Sequence, residues 1–274
     1  MTVVEAPPPL PVRDKALREP AGGVSPMLNR LAAEHATGVL VREGGTLYLT
    51  DGVVVHAESP YAPGPGALLT AQGALSAEQW WAAAGAAGDP EGTARLLVDA
   101  GHLSWAGMEI CHLQALYDAA YFALAPSSSP GRFHYAAEAQ PGGALPAVPV
   151  AAVEREVLRR REVLHRLWPD PLTDSAPLTR TDPVAAPAVT ARQAAVLALV
   201  DGVRTAPDIA LAQGRRSFPT LVEVRRLAAA GLLATPRPHP PPAAAATQPP
   251  AALPDDFDPH IALLKRVRDA LEAL

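Results

Sequence analysis

Three short runs rich in Val, Leu, Thr and Tyr, residues 38–43, 46–50 and 53–58, are separated by Gly44-Gly45 and Asp51-Gly52. Two-residue loops of this kind are favoured in hairpins, so the pattern predicts a three-stranded antiparallel meander. With both loops two residues long, Leu40, Leu47, Leu49 and Val54 share one face, and Val41, Tyr48, Val53 and Val55 share the other. Both faces are apolar, so the sheet is expected to be covered by helices. Ahead of the meander, Ser25 and Pro26 read as the cap and first turn of a helix with Leu28 and Leu31 inward.

Beyond residue 60 the apolar spacing becomes helical and a pattern repeats. Leu68-Leu69-Thr70-Ala71-Gln72-Gly73-Ala74-Leu75-Ser76 recurs as Leu96-Leu97-Val98-Asp99-Ala100-Gly101-His102-Leu103-Ser104. Each copy reads as a helix ending at a glycine, a Leu plugging the corner, and a Ser capping the next helix. Ser76 with Gln79 forms a capping box, and Asp89-Pro90 starts the helix leading into the second copy. The helix after Ser104 carries Ile110, Leu113, Leu116, Tyr117 and Ala120 at core spacing. Meander and helices together predict an α+β fold.

Residues 151–168 predict a bridging helix with Val157, Leu158, Val163 (adjoining Leu164), Leu167 and Trp168 as its apolar stripe, a basic nucleic-acid helix being the alternative. Three further helices follow between 188 and 235. Thr190 with Gln193 caps the first, Thr205-Ala206-Pro207-Asp208 starts the second, and Ser217 or Phe218-Pro219 starts the third, with Leu221, Val224, Leu227 and Ala228 inward. Leu232 to Thr235 then reads as a short strand. At the end of the chain, Asp258-Pro259 begins an amphipathic helix whose stripe is Ile261, Leu264, Val267, Leu271 and Leu274. About four turns gain little stability alone, so this stripe is expected to fold back on its own chain, lie in a partner's groove or self-associate.

Composition supplies the boundaries. The 31 prolines among 274 residues are about 11%, roughly twice ordinary usage. Of these, 24 fall in four stretches, 1–26, 126–150, 169–187 and 236–254, which read as extended, poorly ordered connectors. The expected organisation is a disordered segment 1–26, an α+β domain 27–136, the bridging helix 151–168, a compact unit 188–235, a Pro/Ala-rich linker 236–257 and the helix 258–274.

Charge separates the pieces. The chain carries −5 overall, which argues against a protein that coats nucleic acid. Residues 27–125 hold three Arg against ten carboxylates, and 188–235 hold six Arg against three. A single cysteine, Cys111, excludes an internal disulfide and suits a reducing compartment. Neither a leader-like segment nor a run of about 20 apolar residues occurs, so a soluble cytoplasmic protein without membrane contact is expected.

The run Thr37-Gly38-Val39-Leu40-Val41, followed by Thr46-Leu47-Tyr48-Leu49-Thr50-Asp51-Gly52-Val53-Val54-Val55-His56-Ala57, resembles the core of PatA-like N-terminal domains of the DUF4388 type. The resemblance spans roughly residues 27–136. It implies a bacterial regulatory domain of the sort found beside receiver domains, roadblock proteins and small GTPases. Further along, Val200-Asp201-Gly202, Arg204-Thr205, Ile209-Ala210 and Gly231-Leu232-Leu233 resemble the winged-helix-like unit that often follows such domains. The helical repeat is also similar to N-terminal domains of type II secretion and pilus ATPases, some of which bind cyclic di-GMP through an Arg-Leu-Gly start. Here Arg95-Leu96 is followed by Leu97, and Ala67 precedes Leu68.

Signatures of catalysis are missing: there is no Gly-Lys phosphate loop, no His-Glu-x-x-His, no Gly-x-Ser-x-Gly and no paired cysteines. Cys111, His112 and His102 do not have the spacing of converging metal ligands, and Cys111 reads as a buried structural thiol. No enzyme activity, cofactor or metal is therefore expected. The expected function is regulation and signalling through protein contacts, with Trp80, Trp81 and the C-terminal stripe as partner-binding residues. The alternative is a DNA-binding transcription regulator using Arg215, Arg216, Arg225, Arg226 and Arg237. A cyclic-dinucleotide sensor is the third reading.

Overall fold

Strands β1 (Gly38–Arg42), β2 (Gly45–Thr50) and β3 (Val53–Glu58) form the meander. Arg42 pairs with Gly45, so the first loop is Glu43-Gly44, one residue earlier than expected. Gly45 itself lies in the strand, where a Cβ would stand 2.3 Å from the Glu58 carbonyl oxygen. The second loop is Asp51-Gly52, with both residues at positive φ as a two-residue hairpin turn requires. A bulge opposite Tyr48 and Leu49 inserts Val55, which pairs His56 with Tyr48 and turns Ala57 into the core beside Leu47.

The computed structural model describes residues 24–136, 145–183 and 187–235. The chain divides into two compact units, Met1–Pro236 and Arg237–Leu274, and every described residue lies in the first. Most of segment 1–26, Arg237, the linker 236–257 and the helix with Ile261, Leu264, Val267, Leu271 and Leu274 lie outside the described residues.

The stretch 126–150, expected as a connector, supplies both edges of the sheet. Strand β4 (Arg132–Tyr135) pairs with β1, and β5 (Val148–Pro149) pairs with β3, giving the antiparallel order β4-β1-β2-β3-β5. Proline is compatible with an edge strand because no ladder partner needs its missing N–H. Among the described residues, helices cover one face only. Leu40, Leu47, Leu49 and Val54 are buried there, whereas Val41 on the other face is 42% exposed. Antiparallel sheets tolerate water on one side.

Helix α1 (Pro26–Ala33) is capped by the Ser25 side chain and buries Leu28 and Leu31. The repeat forms α2 (Pro65–Ala71), α3 (Ala77–Ala87) and α4 (Pro90–Asp99), and leads into α5 (Trp105–Ala123). Gly73 and Gly101 take positive φ, and the amides of Ala74 and His102 donate back to the Leu69 and Leu97 carbonyls at 3.0 Å, closing both helix ends. The Ser76–Gln79 capping box is present. Ile110 is 57% exposed; Met108, Cys111 and Ala115 take the inward line instead. That phase follows because the first half of α5 packs on α2 and α4 while its second half, Leu116 to Ala123, packs on the sheet.

Helix α6 (Val150–Leu167) buries Val150, Val153, Glu154, Val157, Arg160 and Leu164. Leu158 and Trp168, expected in its stripe, are 45% and 36% exposed. Two of the inward positions are charged, so apolar periodicity assigns the stripe to the wrong flank. Val150, Val153 and Val157 join the sheet core, and Leu164 joins a second core with Leu178, Ile209, Leu221 and Val224.

That second core is built by α8 (Ala191–Leu199), α9 (Ala206–Gln213) and α10 (Ser217–Ala229), with α7 (Leu172–Ser175) packed against α9 and α10 and β6 (Thr179–Arg180) pairing antiparallel to β7 (Leu233–Ala234). The stretch 169–187, expected as a connector, thus contributes α7 and β6. The whole is an α+β fold with a five-stranded antiparallel sheet.

Candidate functional site

The two cores meet where α10 begins. Ser217 is buried, and its hydroxyl donates to the Tyr61 carbonyl at 2.8 Å instead of capping the helix. The next amide, of Phe218, donates to Asp118 Oδ2 at 3.3 Å. Asp118 Oδ1 accepts from Arg160 Nη1 at 2.6 Å, and both residues are buried. The Arg160 guanidinium also donates to Glu156 Oε1 at 2.8 Å and to the Tyr117 carbonyl at 3.0 Å, and lies 4.6 Å from the Phe218 ring centroid. One ion pair therefore ties α5, α6 and α10 together. The Arg159 hydrogen bond, with help from Arg160, holds the Glu156 carboxyl down at about 2.

The cations expected on DNA are used differently. Arg225 is buried; it donates to both Asp174 oxygens at 2.7 Å and to the Trp168 carbonyl. This corrects its assignment as a phosphate contact: a buried guanidinium with all three nitrogens bonded inside the protein presents nothing to a DNA backbone. Arg226 is half exposed and pairs with Glu223 at 2.9 Å. Arg215 is exposed and Arg216 partly so, on the turn between α9 and α10, and neither has an ion-pair partner among the described residues.

The two tryptophans of α3 diverge. The Trp80 ring lies on Gly66, where a Cβ would come within 2.3 Å of it, while Trp81 is 71% exposed. Both border a cleft of about 640 Å³ between the end of β3 and helices α2 to α4. His56 and His112 stack inside it with ring centroids 5.9 Å apart. Burial, and then the neighbouring His56, push His112 down to about 4, against the pull of the nearby Val55 and Pro146 carbonyls. Burial pushes the Cys111 thiol up to about 11, so it is no thiolate nucleophile at neutral pH.

The His112 shift sets a pH dependence. An unfolded imidazole takes its proton near 6.5, the folded one only near 4. In that window the unfolded state binds the extra proton, so this stability is complete above the upper value and is lost as pH falls toward the lower. Between about pH 7 and about pH 5 the expected loss is on the order of 2 kcal/mol. Urea unfolding at both pH values checks it: His112→Phe should flatten the difference, and an unchanged slope would rule His112 out as its source.

A second cleft, of about 1020 Å³, lies between the cores and is bordered by Tyr121, Arg161, His165 and Arg225. Burial raises the Tyr121 phenol to about 12. Arg161 and Arg42 donate to the Leu124 and Ala125 carbonyls at 2.5 and 3.3 Å, where cations complement the C-terminal end of α5.

Asp118, Glu154, Arg160 and Asp174 are not among the site residues that the sequence suggests. The one signal for them is a charged residue at a core-spaced position of an otherwise apolar stripe, as at Glu154 and Arg160 beside Val153 and Val157. Among the described residues no group of three or more His, Cys, Asp or Glu could hold a metal ion, and no helix is long and apolar enough to cross a membrane. No family model, curated protein or solved structure matches this chain.

Proposed function

We propose that this chain is a non-enzymatic cytoplasmic regulator that acts through protein contacts: a PatA-like domain joined to a winged-helix-like unit whose third helix, α10, is a structural brace. The resemblance implies a setting in bacterial signalling, beside a small GTPase or roadblock protein. One observation carries the choice over DNA reading. Seven of the thirteen α10 residues are buried, with α6, α7, α8 and α9 all packed against the helix. A reading helix needs a free polar face in the major groove, and the outer strip of α10 offers one half-exposed cation, Arg226, already paired with Glu223. On the partner side, Trp81 supplies a large exposed aromatic of the kind that anchors interfaces.

Fluorescence anisotropy of the full chain with duplex DNA tests the rival. The expected result is no binding at about 50 mM salt that decays steeply by about 200 mM. Binding with that decay, abolished by Arg215→Ala plus Arg216→Ala, overturns the proposal. Calorimetry against the small GTPases and roadblock proteins of the same genome tests the positive side, with Trp81→Ala expected to weaken the complex roughly tenfold or more.

A further inference from the structure

The cleft beside α3 has more structure than a partner surface needs. Its volume, about 640 Å³, falls in the range of small-molecule sites. Trp81 and His56 give it flat walls, while Trp80 packs on Gly66 at its edge. At its lining sits His112, 2% exposed, whose Nε2 has no hydrogen-bond partner among the described residues. Buried polar atoms are almost always paired in folded proteins. The Val55 and Pro146 carbonyls lie beside the ring, and Nε2, left without a partner of hydrogen-bonding geometry, can accept from a ligand N–H.

Charge narrows the ligand. Among the described residues the cleft is lined by two carboxylates, Glu58 and Asp89, and by no Lys or Arg. Glu58 stands 3.3 Å from His56 Nε2, and His56 stacks on His112, so carboxylate and imidazoles form one continuous wall. A phosphate or carboxylate ligand would meet two like charges and no cation. Arg95, the repeat's cation, is not in the lining; it donates to Glu91 at 2.9 Å. A planar cation gains from both features, stacking on the exposed Trp81 indole and facing the carboxylates.

We infer that this cleft binds a small planar aromatic amine or amidine in its cationic form, the ring against Trp81, an N–H on His112 Nε2, and the charge facing Glu58 and Asp89. The site shares Trp81 with the proposed partner surface, but its occupation requires no protein partner. It gives the domain a chemical input distinct from the cyclic-dinucleotide class.

Benzamidine is the probe and benzoate its anionic counterpart of the same shape. The full chain, labelled with ¹⁵N-histidine, is titrated with each while tryptophan fluorescence and imidazole resonances are followed. Benzamidine should saturate below about 10 mM, shift the His112 resonances and quench fluorescence, with benzoate at least roughly tenfold weaker. Glu58→Gln, at a side chain 60% exposed, leaves the core intact and should weaken benzamidine several-fold. His112→Phe should abolish binding, and Glu58→Gln carries the test if that variant does not fold. Failure of benzamidine to saturate, equal binding of benzoate, or indifference of benzamidine to Glu58→Gln each overturns the proposal.

Discussion

Asp118→Ala is expected to lower the melting temperature of the chain by about 10 °C, the larger of two effects at the junction of the cores. The carboxylate accepts from Arg160 and from the Phe218 amide, and neither it nor Arg160 is exposed by more than 5%. Removing one member of a buried pair leaves the other uncompensated, a loss of roughly 3–5 kcal/mol. In a unit of this size each kcal/mol moves the midpoint by about 2–4 °C. Glu156, 24% exposed at its side chain, remains on Arg160 and keeps the loss from the upper end of that range. The control is Asp118→Leu with Arg160→Met, which replaces the pair by apolar groups and is expected to recover most of the loss. Thermal unfolding by circular dichroism measures both; a single-variant shift of under about 2 °C would mean the pair is not what joins α5, α6 and α10.

Arg225→Ala is expected to destabilise by about 3 kcal/mol, while Arg226→Ala, one position along, changes stability by under about 0.5 kcal/mol. The contrast follows from environment: Arg225 spans Asp174 and the Trp168 carbonyl in a buried fork, and Arg226 pairs with Glu223 at a side chain 52% exposed. Chemical denaturation of the two variants decides between brace and reader. A reader would lose DNA affinity in both with little change in stability. A brace loses stability in the first and almost nothing in the second.

The features legible in advance are those specified within a few residues. Ser25, Ser76, Asp89, Ser104, Thr190 and Thr205 cap the helices that their spacing predicts. The core face of the meander, Leu40, Leu47, Leu49 and Val54, follows from alternation and turn length. Alternation does not foresee the bulge at Val55, which reassigns His56 and Ala57, because a bulge depends on how the sheet packs rather than on its own residues. The proline-dense stretches mislead for a related reason. Proline bars a central ladder position but not an edge strand or a short turn of helix, so 126–150 and 169–187 yield β4, β5, α7 and β6.

The site residues are least legible. Glu154 and Arg160 lie inward among valines, and a periodicity built on apolar residues discards them. Arg225 reads as one of six cations in a basic segment until Asp174, 51 residues away in the chain, is seen against it. Caps, hairpin turns, the repeat and the α+β character are written into the chain itself, since each depends on neighbours within about one turn of helix or one hairpin loop. Packing in three dimensions is what makes α6 join two cores, closes the joint with Asp118 and Arg160, and sets the imidazole of His112 against an aromatic cleft. Those outcomes depend on desolvation and on partners far apart in the chain, 42 residues for Asp118 with Arg160 and 156 for Ser217 with Tyr61, and no local pattern encodes which buried charge will find which partner.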